Sequence, residues 1–378
     1  MPKKGRLWLA LMTGASILAG GAGLSTTVQA QGISTSPRAL ASRVNGGLRA
    51  DGASSSVTLL ESGSTLLYPL FLEWIPRYEK SHAGVTITPA GTGSGTGIAE
   101  ALAGTVQIGA SDAYMSNAQM KPGIENIPLA ISAQVIAYNL PGLNGRHLHL
   151  SGPILARIYS GQIKYWDSKP IVQANPGVKL PNHRIIPIRR ADSSGDSFLF
   201  TSYLTDSALS DWSYGYSTSP SWPSVSNEMS ATGNGGMVNA LKATPYSLAY
   251  VGISYLNQLR GDRLGWGALQ NRDGIYVLPT ARSIASAASQ MVPKTQSGER
   301  ISLIYAPGKN AYPIINYEYA IVNDHQPSRA TAAALSTLLK WAINSKDGNS
   351  GQYLKPVHFQ PLPASIVQLD MAQINKIH

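Results

Sequence analysis

Short apolar segments alternate with amphipathic segments along the chain from residue 57 onward. Runs of β-branched and apolar residues predict strands at 57–61, 85–88, 106–109, 184–188, 248–251 and 275–278. Apolar positions at helical spacing predict helices at 67–76, 97–102, 153–161, 195–204, 329–344 and 364–377. The first of these is expected to kink or end at Pro76. Alternating strands and helices are typical of an α/β protein with a largely parallel sheet.

Two extended runs, 127–139 and 314–322, are longer than the other predicted strands. A chain of 378 residues exceeds the usual size of one domain, so two compact units are expected. The first run is long enough to be a single extended segment that passes from one unit to the other.

The amino terminus has the pattern of a secretory signal peptide, residues 1–30. Lys3, Lys4 and Arg6 precede an apolar stretch at 7–18, and small residues at 28 and 30 mark a cleavage site after Ala30. Residues 31–56 follow as a flexible leader rich in Ser, Ala, Gly and Arg. Removing the signal peptide lowers the formal net charge from +10 to +7 and gives a periplasmic protein.

Composition excludes several classes of function. The chain contains no cysteine, so a disulfide scaffold, a thiolate metal site and a lipid-modified cysteine are excluded. None of the seven histidines forms a compact metal-ligand pattern, and His147 and His149 are expected to be a surface pair. No cofactor and no metal are therefore expected. Lys and Arg do not cluster with exposed aromatics, so nucleic acid is not an expected partner.

Three turns rich in Gly, Ser and Thr precede predicted helices, at 62–65, 91–97 and 191–197. Helix amino termini expose unpaired N–H groups and carry positive dipole ends, so such turns suit a small anion. A single turn of this kind is ordinary capping, but ligands collect where several follow the strands of an α/β sheet. None of the three matches a Walker A loop or the G-x-G-x-x-G pattern, which disfavours a nucleotide.

Charged residues in these loops suggest the state of the anion. Arg189 and Arg190 precede the third turn, where a guanidinium can pair with an oxyanion, although a solvated surface pair is the alternative. Asp112 and Asp196 lie among the donors. A carboxylate repels a fully ionised anion but accepts a hydrogen bond from one that still carries a proton. Helix capping is the alternative role for each Asp.

These motifs together resemble the phosphate-binding protein family of the bacterial high-affinity phosphate ABC transporter. The similarity extends from about residue 57 to the carboxyl terminus, and its most specific stretches are 63–65 with 68–69, 91–95, 105–113, 159–167, 190–195 and 312–314. The resemblance implies a protein that captures inorganic phosphate and delivers it to the membrane permease subunits of the transporter. It also implies a monomer.

The fold that the resemblance implies is the two-lobed α/β fold of type II periplasmic binding proteins, with two hinge strands and phosphate in the cleft. Lobe 1 is expected to comprise residues 57–130 and 313–378, lobe 2 residues 137–304, and the hinges residues 131–136 and 305–312.

The resemblance also implies the residues that contact phosphate. These are Ser64, Thr65, Leu66 (through its backbone), Ser94, Arg190, Ser194 and Gly195 as donors, and Asp112 as the acceptor of the phosphate proton. Asp192 is expected to pair with Arg190. Leu66 stands where many relatives have an aromatic residue. Asp196 stands where some relatives have Thr, and we hypothesise that it reaches the ligand and allows phosphate binding at lower pH.

Two alternatives remain at this point. A secreted phosphatase would need a nucleophile, and residues 109–113 are one glycine short of a G-x-S-x-G elbow, with no His assignable as its base. No catalytic residue is therefore assigned. A binding protein for sulfate, molybdate or a phosphonate is the other alternative, against which Asp112 and Asp196 argue.

Overall fold

The computed structural model describes residues 56–378, so the predicted signal peptide and nearly all of the predicted leader lie outside the described residues. The strands are β1 (Val57–Gly63), β2 (Val85–Ala90), β3 (Ile108–Ser111), β4 (Ile124–Asn139), β5 (His149–Leu150), β6 (Ile186–Arg190), β7 (Met229–Ala231), β8 (Ser247–Gly252), β9 (Gly265–Trp266), β10 (Ala268–Gln270), β11 (Tyr276–Val277) and β12 (Ile315–Asn323). The α-helices are α1 (Tyr68–Ser81), α2 (Ser94–Ala103), α3 (Gly152–Tyr159), α4 (Lys169–Ala174), α5 (Gly195–Ser207), α6 (Gly233–Ala243), α7 (Leu256–Gly261), α8 (Ala281–Met291), α9 (Arg329–Ile343), α10 (Gly351–Leu354) and α11 (Ala364–Ile374).

A nine-stranded sheet organises the fold. Its strand order is β2-β1-β3-β12-β4-β8-β6-β7, with β9 beside β4. Residues 124–133 of β4 pair with β12, and residues 134–139 of the same strand pair with β8. We call β1, β2, β3, β12 and the start of β4 the first half of the sheet, and the end of β4 with β6 to β9 the second half. The predicted long run is thus one strand that belongs to both halves.

Burial explains why the two longest strands lie at the centre. Nearly every residue of β4 and of β12 is buried, as expected for strands covered on both faces. Helix α9 packs Leu335, Leu338 and Leu339 into the core of the first half. Helix α1 contributes Trp74, whose ring meets that of Trp341 edge to face at 6.1 Å.

The direction of the strands differs from the expectation of a largely parallel sheet. β1, β2 and β3 are parallel, as are β6, β7 and β8, but β12 is antiparallel to both β3 and β4, and β4 is antiparallel to β8. The sheet is mixed because β4 carries the chain out of the first half and β12 carries it back, so the two strands run in opposite directions.

Helix α1 does not end at Pro76, which corrects the sequence prediction. It continues to Ser81 because Trp74 and Tyr78 are buried on its inner face. Pro76 and Leu72 both lie on the exposed face. Because proline has no N–H group, the Leu72 carbonyl lacks its usual helical hydrogen bond. This carbonyl lies on the solvent side of the helix, where water can donate to it.

Several elements were not predicted. They include α6, whose first turn is rich in glycine, the short helices α4, α7 and α10, and strands β5 and β10. With β11, which lies in the predicted strand 275–278, these two strands form a separate three-stranded sheet in the order β11-β10-β5. Helix α2 begins at Ser94, inside the predicted turn 91–97. None of the helices within residues 56–378 combines the length and apolar character that crossing a membrane requires.

Candidate anion-binding site

The amino termini of four helices meet where the two halves of the sheet adjoin. Helices α1 and α2 follow β1 and β2 of the first half, while α5 and α6 follow β6 and β7 of the second half. The carboxyl ends of parallel strands meet at one edge of a sheet, so these turns converge. Contacts cross between the halves, since the Gly95 amide donates to the Ser193 carbonyl at 3.0 Å. The Asn234 amide likewise donates to Thr65 Oγ1 at 3.0 Å.

Asp112 lies at the centre of this arrangement and is buried. Ser64 Oγ donates to its Oδ1 atom, and Ser94 Oγ lies 3.2 Å from its Oδ2 atom. Burial raises the pKa of Asp112 to about 7, with a further contribution from the negative charge of Asp196. The hydrogen bond from Ser64 and the charge of Arg190 oppose this shift. The ionisation of Asp112 is therefore set by the groups packed against it.

The first turn holds Ser64 by its own backbone. Ser64 Oγ accepts from the Leu66 amide at 3.1 Å and from the Leu67 amide at 2.9 Å. The Leu66 side chain is fully buried against Gly252, where an added Cβ atom would come within 2.4 Å of Leu66 Cδ1. A leucine fits here because its side chain packs into the second half of the sheet while its amide faces the site.

Arg190 is the buried cation of the site. Its Nε donates to Asp192 Oδ1 at 2.7 Å, and its Nη2 donates to Asp192 Oδ2. Burial opposes ionisation of Asp192, but the hydrogen bonds and charge of Arg190 outweigh it and lower the pKa of Asp192. The neighbouring Arg189 points elsewhere and pairs with Glu228 at 2.9 Å. Arg190 is thus held in place by Asp192, and Arg189 is not part of the site.

Asp196 also faces Arg190. Its Oδ2 atom accepts from Arg190 Nη1 at 2.7 Å and from Asn234 Nδ2 at 2.6 Å, and its Oδ1 atom accepts from Gln134 Nε2 at 3.1 Å. Burial raises the pKa of Asp196, and the charge of Arg190 is the largest opposing influence. The carboxylate therefore occupies one guanidinium nitrogen that an oxyanion could otherwise use.

The start of α5 completes the predicted set. Ser194 caps this helix, since its Oγ accepts from the Ser197 amide at 3.3 Å. Gly195 lies directly against the other half, where an added Cβ atom would come within 2.4 Å of Asp112 Oδ2 and 2.5 Å of Ser94 Oγ. Only glycine allows the α5 amino terminus to approach Asp112 this closely.

The structure therefore brings all ten predicted residues into one region, in two linked groups. Ser64, Ser94 and Gly195 surround Asp112, while Asp192 and Asp196 surround Arg190. Thr65 joins the two groups through Asn234. Leu66 presents its backbone amide to the first group, and Ser194 caps the helix that meets it.

Four residues that bond to the predicted set, directly or through one another, were missed by sequence reasoning: Gln134, Asn234, Glu318, which is a hydrogen-bonding partner of Asp112, and Ser132, which donates to Glu318. Asn234 follows Thr232-Gly233, another glycine-rich turn before a helix, so the rule that found the first three turns could have found it. Glu318 is an ionisable residue in an otherwise largely apolar run, and this feature of the sequence could have marked it as a candidate site residue. Gln134 and Ser132 carried no signal, because isolated polar residues inside strands are common.

The geometry gives no support to a nucleophile at Ser111. Its Oγ donates to the Ala113 carbonyl at 2.6 Å, and no histidine within residues 56–378 is hydrogen-bonded to it. His147 and His149 do not form a pair, because the first bonds to the Trp266 carbonyl and the second to the Ala174 carbonyl. The arrangement of amides, hydroxyls, one guanidinium and one acceptor carboxylate suits binding of a small oxyanion that carries a proton.

Comparisons with known proteins find relatives that are named as phosphate-binding proteins. A family model described as a PBP superfamily domain matches residues 49–346. The phosphate-binding protein PstS of Methanocaldococcus jannaschii is 31% identical over 346 residues, covering 85% of this chain and 87% of that protein. The PstS of Xylella fastidiosa is 31% identical over 316 residues, covering 83% and 84%. A phosphate-bound structure of a high-affinity periplasmic phosphate-binding protein, PfluDING, aligns with a TM-score of 0.66 at 18% identity, covering 84% of this chain and 93% of that one.

Proposed function

The chain belongs to the PBP superfamily and to the PstS family of phosphate-binding proteins, and from this premise we propose that it holds one inorganic phosphate between two lobes for delivery to an ABC permease. It is a binding protein of a phosphate ABC transporter rather than an enzyme. The observation that supports the site most directly is the buried Asp112 carboxyl among hydroxyls and helix amino termini.

Phosphate contacts Ser64, Thr65, Ser94, Ser194 and Arg190 as donors in this proposal, together with the backbone of Leu66 and Gly195. Asp112 accepts the proton of the ligand. Sulfate has the same shape but carries no proton near neutral pH, so it leaves the Asp112 carboxylate facing an oxyanion without a hydrogen bond. Sites that require such a bond reject analogues by roughly 10⁴–10⁵.

Capture occurs by closure about two hinges, residues 131–136 and 305–312, between a lobe of 57–130 with 313–378 and a lobe of 137–304. The change of pairing partner within β4, between residues 133 and 134, supports the first hinge. The second is supported by Tyr305, whose φ of 54° marks a sharp turn where the chain returns toward β12. Phosphate favours the closed form because it contacts both lobes at once.

Location and partners follow the relatives. We place the protein in the periplasm after cleavage of its signal peptide behind Ala30, as a monomer without a cysteine-linked lipid, since the sequence contains no cysteine. Its macromolecular partners are the permease subunits of the transporter. Sequencing the amino terminus of the exported protein tests the cleavage position, and a mature chain that begins elsewhere than Gln31 contradicts it.

Calorimetry with phosphate, sulfate and arsenate tests the function. We expect one phosphate per chain, no displacement by excess sulfate, and no binding in Arg190→Met, which removes the buried guanidinium while keeping much of its apolar stem. Arg189→Met, outside the site, is the matched control and should bind as wild type does. Turnover of p-nitrophenyl phosphate, or preference for sulfate, would overturn the proposal.

A further inference from the structure

Glu318 is a buried acid beside the site that the proposed function does not use. It lies in the middle of β12 and is fully buried. The register between β12 and β4 shifts at Glu318 and Tyr319, where Leu129 is the extra residue of β4. On its other side β12 pairs antiparallel with β3, where Tyr319 lies opposite Ser111. The next pair in this register places Glu318 across from Asp112, and the two side chains are hydrogen-bonding partners.

Around Glu318 the oxygen atoms that accept hydrogen bonds outnumber the hydroxyl protons that are available to them. Its Oε1 atom lies 2.5 Å from Ser132 Oγ and accepts from Asn316 Nδ2 at 2.9 Å. Ser132 Oγ is also 2.7 Å from Asn316 Oδ1. No hydroxyl or amide within residues 56–378 donates to Oε2, and the remaining side-chain hydrogen-bonding partner of Glu318 is the Asp112 carboxyl.

Counting protons shows that one of the two acids is un-ionised. Three contacts join oxygen atoms: Ser132 with Asn316, Ser132 with Glu318, and Glu318 with Asp112. If both acids were ionised, the single proton of Ser132 would have to serve all three. An un-ionised Glu318 supplies a second proton. Asp112 already accepts from Ser64 Oγ and Ser94 Oγ, and these donors favour its ionised form, because hydrogen bonds to a charged acceptor are the stronger ones.

We propose that Glu318 is a neutral carboxylic acid whose Oε2–H group donates to the Asp112 carboxylate, so that Glu318 is the positioning residue that keeps Asp112 an acceptor for the phosphate proton. The inference rests on the proposed function for its ligand and on the described contacts for its chemistry. It identifies which of two adjacent acids carries the proton, and this decides which anion the site accepts.

The electrostatic surroundings agree with this assignment. Burial raises the pKa of Glu318 well above its usual value, and the charge of Asp112 raises it further. The hydrogen bond from Glu318 acts in the opposite direction on Asp112 and lowers its pKa. The other charged groups that act on Asp112 are Asp196, which raises its pKa, and Arg190, which lowers it.

The position of the proton controls selectivity. With the proton on Glu318, Asp112 can only accept, and sulfate finds no partner for its oxygen there. With the proton on Asp112, the same carboxyl can donate to sulfate, and the basis of rejection is lost. Phosphate binds with the proton on either acid, because its P–OH group can donate to an ionised Asp112 and its ionised oxygens can accept from a neutral one.

Two substitutions separate these possibilities. Glu318→Gln keeps a neutral donor toward Asp112 and an acceptor toward Ser132, so its affinities for phosphate and sulfate should stay within about twofold of wild type. Glu318→Met removes the donor at similar volume, so Asp112 protonates more readily. We expect sulfate affinity to increase roughly tenfold or more in this variant, with phosphate affinity little changed. Glu299→Gln, a buried acid in a separate cluster with Gln373, is the control and should change neither affinity.

Infrared spectroscopy of the ligand-free protein measures the proton directly. Buried neutral carboxyls, among them Glu61 with its pKa raised to about 8, give C=O bands at pH 7. The component that belongs to Glu318 should disappear in Glu318→Gln and persist in Asp112→Asn. An unchanged band in Glu318→Gln, or a gain of sulfate affinity in this variant equal to that of Glu318→Met, would overturn the proposal. The infrared result stands even if Glu318→Met does not fold. If wild type does not bind phosphate, the proposed function fails, but the infrared result still decides the state of Glu318.

Discussion

Replacement of Asp196 by Thr tests how this site balances its charge. In the structure Asp196 occupies Arg190 Nη1 at 2.7 Å and Asn234 Nδ2 at 2.6 Å. Threonine removes a buried negative charge and frees both donors for an oxyanion. We therefore expect Asp196→Thr to bind phosphate more tightly than wild type does at pH 8.

The size of the effect follows from the released guanidinium nitrogen. One hydrogen bond to a charged group contributes about 1.5–3 kcal/mol, which corresponds to roughly 10–150-fold in affinity. Burial raises the pKa of Asp196, so in wild type a falling pH protonates this group and removes the competing charge. Wild-type affinity should thus improve toward acid by up to about tenfold per pH unit, and the difference in affinity between wild type and the variant should become smaller there.

Calorimetry between pH 5 and pH 8.5, in buffers of different ionisation enthalpy, measures both the affinity and the protons taken up on binding. Wild type should take up a larger fraction of a proton than Asp196→Thr. Asp206→Thr, an exposed position near the other end of α5, is the matched control and should reproduce the wild-type profile. Parallel pH profiles for wild type and Asp196→Thr, with equal affinities at pH 8, would refute the reasoning.

Three further outcomes are expected. Asp112→Asn should let sulfate compete with phosphate in calorimetry, and continued rejection of sulfate would assign selectivity to another feature. Gly95→Ala should weaken phosphate binding at least tenfold, because the new Cβ atom would meet Ser193 Oγ at 1.9 Å, whereas Gly145→Ala meets nothing within 4 Å and should bind normally. Glu61→Gln should stabilise the fold at alkaline pH, since burial raises the pKa of Glu61 from 4.5 to about 8 and its ionisation costs up to about 5 kcal/mol. In thermal melts the gain should be small below pH 4.5, grow up to pH 8 and level off beyond, and a gain independent of pH would contradict this cause.

Much of the fold could be predicted because periodicity and burial agree along the chain. The run at 127–139 is largely apolar, and the structure buries it as the strand shared by both halves. The direction of β12 could not be predicted, because an apolar run records burial but not the orientation of its neighbours. Whether α1 ends at Pro76 depends on which side of the helix faces solvent, and the local sequence does not determine this.

The sequence predicted residues that the structure brings together, but it did not predict the bonds among them. The turns and the two Asp residues were identified by type and position. That Asp196 accepts from Arg190, Gln134 and Asn234 depends on packing between residues distant in sequence. Glu318 was missed for the same reason, since its neighbour Asp112 follows a strand far away in the chain.

The place of β12 between β3 and β4 has a consequence for the order of folding. The first half of the sheet has no direct pairing of β3 with β4, because β12 lies between them. During synthesis the edges of β3 and β4 that face β12 therefore remain unpaired until residues 315–323 have been added. A shortened chain that stops before residue 315 keeps both edges open, and such edges pair readily with other chains. Loss of the carboxyl-terminal segment should thus cause aggregation of the whole protein rather than the loss of one peripheral strand.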